Sequence, residues 1–133
     1  TLRRIRTRLQ LECGSEDPFE TLHPNAKFRE PPFDAEEAKE KFGMEVVPLN
    51  SKELLLEETQ LMSNCSVTYS SVLPVMHEMF LYRVVGPFRA TLLIYDFGGR
   101  WTVSQLFGPA NSEVDQPERE LVERWLDWEN SKR

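Results

Sequence analysis

The sequence predicts an α+β fold: a three-stranded antiparallel β-meander packed against helices. Three observations carry this prediction. Met79 to Val85, Ala90 to Phe97 and Arg100 to Phe107 are consecutive runs rich in β-branched and aromatic residues. Gly86-Pro87 and Gly98-Gly99 separate them, and a Gly-Gly pair between such runs favours a tight hairpin because both residues accept positive φ. Helical periodicity stands on both sides of the three runs, which is the segregated order of an α+β domain.

Taken in order, residues 1–12 place Leu2, Ile5 and Leu9 on one helical stripe, with arginines on the other faces. Residues 13–33 lose periodicity, and their glycine, prolines and short polar residues predict a loop. Phe19, Leu22, Phe28 and Phe33 suggest that this loop lies against the body. Residues 1–33 are therefore expected to link the domain at 34–133 to a missing upstream part, an expectation that the initial Thr1 supports.

Asp34 can cap a helix over Ala35–Phe42, and Gly43 can end it in the left-handed conformation. Met44 to Leu49 reads as extended, because Pro48 biases Val47 away from helix. Asn50 or Ser51 caps the next helix, which runs to about Ser63. Its apolar side is expected to carry Leu54, Leu55, Leu61 and Met62, with Glu57, Glu58 and Gln60 largely outside. Cys65, Tyr69, Val72 and Leu73 share a face of a second helical piece, or of the same helix after a break, which Pro74 ends or kinks. After the strands, Gly108 to Ser112 forms a loop. Asp115 or Gln116 opens a last helix with Pro117 in its first turn. Leu121, Val122, Trp125 and Trp128 form its packing face.

The chain of 133 residues is long enough for one domain with a proper core, and its hydrophobic fraction of 40% and charged fraction of 29% are those of a globular protein. No apolar run approaches the ~18 residues of a membrane span. The arginines Arg3, Arg4, Arg6 and Arg8 are not followed by the apolar stretch of a signal peptide. Removing those four from the tally leaves 12 Lys plus Arg against 22 Asp plus Glu, an acidic body of net −10. Such a body is poorly suited to broad phosphate-backbone binding. The basic head can touch nucleic acid, or can be the charged face of a helix continuing from upstream. The two cysteines, Cys13 and Cys65, form no CxxC pair, so zinc is not indicated. Free thiols in a reducing, cytoplasmic setting are expected, with a single Cys13–Cys65 bridge as the alternative.

Four residues are candidates for chemistry. Cys65 can be a nucleophile if a base or a helix N-terminus lowers its pKa, and can equally be a small buried hydrophobe. Tyr69 lies one turn on, so its hydroxyl can share the same pocket. Gln105 alternates with Trp101, Val103 and Phe107; if those face the core, Gln105 faces it too and needs a partner. Otherwise it lies on the solvent side of the sheet. Asn111 follows a Gly-Pro turn and serves either the turn or a ligand. Arg89 can hold an anion or pair with an acid, and His77, at the entry to the first strand, can bind a ligand or reach Cys65 if the chain folds back. No metal-ligand spacing, Walker loop, dinucleotide fingerprint, nucleophile elbow or HExxH is present, so neither metal nor cofactor is expected.

The segments Val47-Pro48-Leu49-Asn50-Ser51, Glu57 through Tyr69, Leu81-Tyr82-Arg83-Val84, Arg89-Ala90-Thr91-Leu92, Trp101 through Leu106, Gly108 through Asn111 and Trp125-Leu126 resemble the PcfJ-like domain family. That family occurs in bacterial chromosomes, conjugative plasmids and phages. Its pattern includes a Cys with Tyr four residues on, Arg-Ala-Thr at a strand start, Gln before a Gly…Asn, and a closing helix with Trp. The resemblance covers about residues 46–126 and implies that Cys65, Tyr69, Gln105 and Asn111 are the family's polar signature positions. Thr59 stands where the family usually has Gly, and Asn64 where many members have His, which weakens a Cys–His dyad.

The leading expectation is thus a binding or interaction module of a larger bacterial, mobile-element-associated protein, with a polar pocket around Cys65. Its partner would be another protein or the remainder of its own chain. The alternative is a cysteine-dependent hydrolase or transferase, with Cys65 as nucleophile, Tyr69 or His77 moving a proton, and Gln105 or Asn111 as oxyanion donors.

Overall fold

A computed structural model describes residues 28, 30–66, 73–74 and 76–132. The expected helix at residues 1–12, most of the loop after it and the segment holding Tyr69 lie outside the described residues.

Helix α1 (Ala35–Phe42) opens on Asp34, whose carboxylate accepts from the Glu36 N–H at 2.9 Å, and closes on Gly43 at φ 65°. Strand β1 (Glu45–Pro48) leads into helix α2 (Lys52–Met62), where Ser51 rather than Asn50 is the cap and accepts from Leu54 N–H. Strands β2 (Met79–Gly86), β3 (Ala90–Phe97) and β4 (Arg100–Phe107) follow. A 3₁₀ turn over Pro109–Asn111 precedes helix α3 (Gln116–Ser131), with Pro117 in its first turn.

Among the described residues the sheet has four strands, not three, antiparallel in the order β1-β2-β3-β4. The extended reading of Met44–Leu49 was insufficient, because pairing to β2 depends on a partner more than thirty residues away. Val46 lies opposite Val84 and Pro48 opposite Tyr82. Proline is tolerated there because β1 is an edge strand and a missing N–H on its outer side costs no ladder bond.

Alternation along the strands divides the core between two faces. Phe80, Tyr82 and Val84 of β2 lie opposite Ile94, Leu92 and Ala90 of β3, and all six are buried in the cluster that α1 and α3 cover. Phe33 belongs to the same cluster, edge-on to Trp101 at 5.9 Å and to Trp125 at 5.6 Å. The Tyr82 hydroxyl holds it there, donating to Phe33 O and accepting from Phe33 N–H, both at 3.1 Å. On the opposite face, Leu49, Leu55, Leu73, Leu81 and Leu93 form a second buried cluster beneath α2, with Phe28 against it.

Two expectations for α2 are corrected. Glu58 is fully buried and Leu61 is 60% exposed. Glu58 shares a face with Leu55 and Met62, one turn on either side, so α2 turns a carboxylate into the protein and a leucine out. A buried carboxylate is tolerated only where opposite charge and hydrogen bonds surround it, and both are present.

The parity of β4 is corrected as well. Ile94 lies opposite Val103, but Leu93 lies opposite Gln105, so Ser104 is an extra residue in a β-bulge. The bulge reverses alternation. Trp101, Val103 and Leu106 pack in the α1/α3 cluster, while Gln105 and Phe107 turn to the α2 face.

Candidate functional site

The α2 face of the sheet carries two cross-strand rows. Arg83, Thr91 and Phe107 form one; Leu81, Leu93 and Gln105 form the next. The chain leaving α2 passes over these rows. Ser63 adopts φ 49° at the helix end, and Asn64 Oδ1 accepts from Ser66 N–H at 3.0 Å, a turn stabilised by its own side chain. From the other side, the 3₁₀ turn brings Asn111 towards α2. Gly108 N–H donates to Ser112 O at 2.8 Å and closes that turn.

These segments enclose a pocket of about 350 Å³, lined by Asn64, Cys65, Ser66, Leu81, Thr91, Leu93, Gln105, Phe107 and Asn111. Three of the four residues singled out in the sequence, Cys65, Gln105 and Asn111, therefore line one cavity. Tyr69 lies outside the described residues. The side chains of Gln105 and Asn111 make no hydrogen bond among the described residues. Among the described residues no Lys, Arg, Asp, Glu or His lines the pocket.

Cys65 is disulfide-bonded, which corrects the expectation of free thiols; Cys13 is the one other cysteine in the chain. A bonded sulfur carries no thiolate, so Cys65 is not a nucleophile in this state. His77 is exposed in the turn before β2 and does not line the pocket. Among the described residues no group of three His, Cys, Asp or Glu is placed to hold a metal.

Arg89 pairs with an acid and is not among the residues lining the pocket. Its guanidinium bonds Glu58 through both terminal nitrogens, at 2.5 and 3.0 Å, and also donates to the backbone carbonyls of Val84 and Ala90. Arg83 Nε reaches the same carboxylate at 2.8 Å, while its Nη1 reaches Glu57 at 2.7 Å. Thr91 Oγ1 donates to Glu58 Oε2 at 2.5 Å and accepts from Asn64 Nδ2 at 3.0 Å. Glu58 is thereby neutralised behind the pocket wall and joined to it through Thr91. Sequence reasoning placed Glu58 outside and did not single out Thr91, Asn64 or Ser66 as site residues. A signal was present for two of them: Glu58 falls on the apolar stripe of its helix, and Thr91 interrupts the run Ala90, Leu92, Leu93, Ile94.

No family model, curated protein or solved structure matches this chain. Among the described residues no helix is long and apolar enough to cross a membrane.

Proposed function

We propose that the chain is a binding module whose pocket takes a small, uncharged, polar ligand. The observation that carries the reading is the convergence of Cys65, Gln105 and Asn111, from three separate segments, on a pocket with no Lys, Arg, Asp, Glu or His among the described residues of its lining. A cavity of this size suits a small molecule or one side chain of a partner. Its polar groups offer hydrogen bonds without a charge to neutralise an ion, and Leu81, Leu93 and Phe107 offer an apolar surface to the rest of the ligand. An ionic ligand would lose its hydration with no opposite charge in return.

The resemblance to PcfJ-like domains of bacterial mobile elements belongs to this proposal. What supports it is that three of the four signature positions share the cavity. A protein partner, or another part of a longer chain, is the natural bearer of the ligand group. Contact with nucleic acid through Arg3, Arg4, Arg6 and Arg8 draws no support from the described lining of the pocket, which includes no Lys or Arg. The cytoplasmic expectation rested on free thiols and loses that ground, since disulfides persist chiefly in oxidising compartments.

Ligand-observed NMR against primary amides, monosaccharides and nucleosides tests the reading. Saturation transfer to at least one class is expected, reduced at least about tenfold in Gln105→Ala and Asn111→Ala, as the loss of one or two good hydrogen bonds implies. Binding that survives both substitutions unchanged would place the ligand elsewhere and end the proposal.

A further inference from the structure

The hydrogen bonds behind the pocket run in one direction only. A carboxylate accepts and never donates, and Glu58 takes four bonds: two on Oε1 from Arg83 and Arg89, two on Oε2 from Arg89 and Thr91. The single Thr91 hydroxyl proton is thus spent on Glu58, and towards Asn64 the oxygen accepts from Nδ2. The opposite end of the chain imposes the same orientation independently. The backbone N–H of Ser66 can only donate, so the Asn64 atom it meets is the oxygen and the amide nitrogen faces Thr91. Ser66 Oγ also gives its one proton to Asn64 Oδ1, at 2.8 Å. Two hydroxyls therefore line the pocket with no proton left to give.

We infer that Glu58 is a specificity-determining positioning residue, and that the wall it orients selects a primary carboxamide carried on an apolar stem. The inference rests on the binding-module reading above. The amide NH₂ of such a ligand donates to Thr91 and Ser66. Its carbonyl accepts from Gln105 or Asn111, whose own amides have no partner among the described residues. The stem lies against Leu81, Leu93 and Phe107. An ester of the same shape presents only acceptors, and would set lone pairs against lone pairs at Thr91 and Ser66. Unpaired polar groups of this kind discriminate far more strongly than a missing apolar contact.

Benzamide and methyl benzoate are matched probes, equal in ring and carbonyl and different in the donor. Titration followed by protein NMR should show benzamide binding at least about tenfold more tightly, the ratio that one unpaired buried acceptor implies. Glu58→Gln lets a side-chain amide donate to Thr91, which releases the Thr91 hydroxyl proton for a ligand acceptor and should bring the ratio towards one while Thr91 stays in place. Thr91→Val keeps Glu58 with both arginines, and so covers the case in which Glu58→Gln does not fold; it should also lower the preference, leaving only the Ser66 contribution, while Thr91→Ser retains it. Equal affinity of the native protein for amide and ester would overturn the inference and leave the binding reading standing. A preference undiminished in a folded Glu58→Gln protein, or in Thr91→Val, would overturn the role of the chain. Binding of neither probe, nor of any uncharged compound in the wider panel, would remove the binding reading and this inference with it.

Discussion

The side-chain amide of Asn130 closes on both backbone polar groups of Trp101. Asn130 Nδ2 donates to Trp101 O at 2.8 Å, and Trp101 N–H donates to Asn130 Oδ1 at 2.9 Å. Trp101 lies near the start of β4, whose outer edge has no neighbouring strand among the described residues. A side-chain amide has the donor–acceptor spacing of a peptide group, so Asn130 occupies that edge as a partner strand would. At the far end of β4, Phe107 bridges Glu113. The edge is thus engaged at both ends, and open edges are where other chains pair.

Removing that cover has two expected effects. Asn130→Ala should lower stability by about 1–3 kcal/mol, the cost of unpairing partly buried backbone groups, read by urea unfolding. It should also raise concentration-dependent association, read by light scattering. An Asn130→Ala protein as stable and as monodisperse as the parent would show that the contact contributes nothing to either.

The cluster around Glu58 makes an asymmetric prediction. Arg89→Met strips the buried carboxylate of two bonds and should cost about 3–5 kcal/mol in urea unfolding. The triple variant Glu58→Leu, Arg83→Met, Arg89→Met should recover most of that loss, because a cluster replaced whole by apolar groups leaves no buried charge behind. A triple variant no more stable than Arg89→Met would mean that the ions hold the α2 face together by more than mutual neutralisation.

The state of Cys65 is open to direct measurement. Native protein prepared without reductant should resist iodoacetamide at Cys65, and reduction should lower stability by about 2–4 kcal/mol, as loss of a disulfide ordinarily does. Rapid alkylation of native, unreduced protein would contradict the disulfide and reopen the thiol chemistry that the bond now excludes.

Lys132 ties the end of α3 back to the body. Its ammonium pairs with Glu37 of α1 and, at 2.9 Å, with Glu129, and it stands 4.2 Å from the Trp128 ring centroid. Its hydrogen bonds to the accepting carboxylates of Glu37, then Glu129, raise its pKa above the ordinary 10.5. A raised pKa in the folded state means that the folded protein holds this proton more tightly. The associated stabilisation is complete below pH 10.5 and fades as pH rises through the folded value. Lys132→Met should therefore be less stable than the parent at pH 8, and the gap should shrink in thermal scans above pH 10.5. A gap of constant size across that range would trace the loss to packing on Trp128 instead.

Much of the fold was legible because the relevant signals are local. Asp34 and Gly43 mark the ends of α1, Gly98-Gly99 marks a hairpin, and the spacing of Val122 and Trp125 marks the buried face of α3; each depends on residues within a few positions of one another. The convergence of Cys65, Gln105 and Asn111 was also foreshadowed, although by a parity argument that pointed to the wrong face of β4. Ser104 looks like any strand residue in the sequence. Only its pairing with β3 makes it a bulge, and the bulge decides that Gln105 faces the pocket.

What remained hidden depended on neighbours distant in the chain. Patterning sets which segments are helix or strand, because periodicity and turn chemistry act over a few residues. It cannot state that Glu58 meets Arg83 and Arg89, 25 and 31 residues away, and a glutamate on a helix is therefore read as solvated. The same holds for β1, extended by its own composition and a strand only through β2. Local residues set the elements. Tertiary contacts decided the fourth strand, the side of the sheet that Gln105 and Phe107 occupy and the burial of Glu58, because register and charge pairing are energies between segments and belong to neither segment alone.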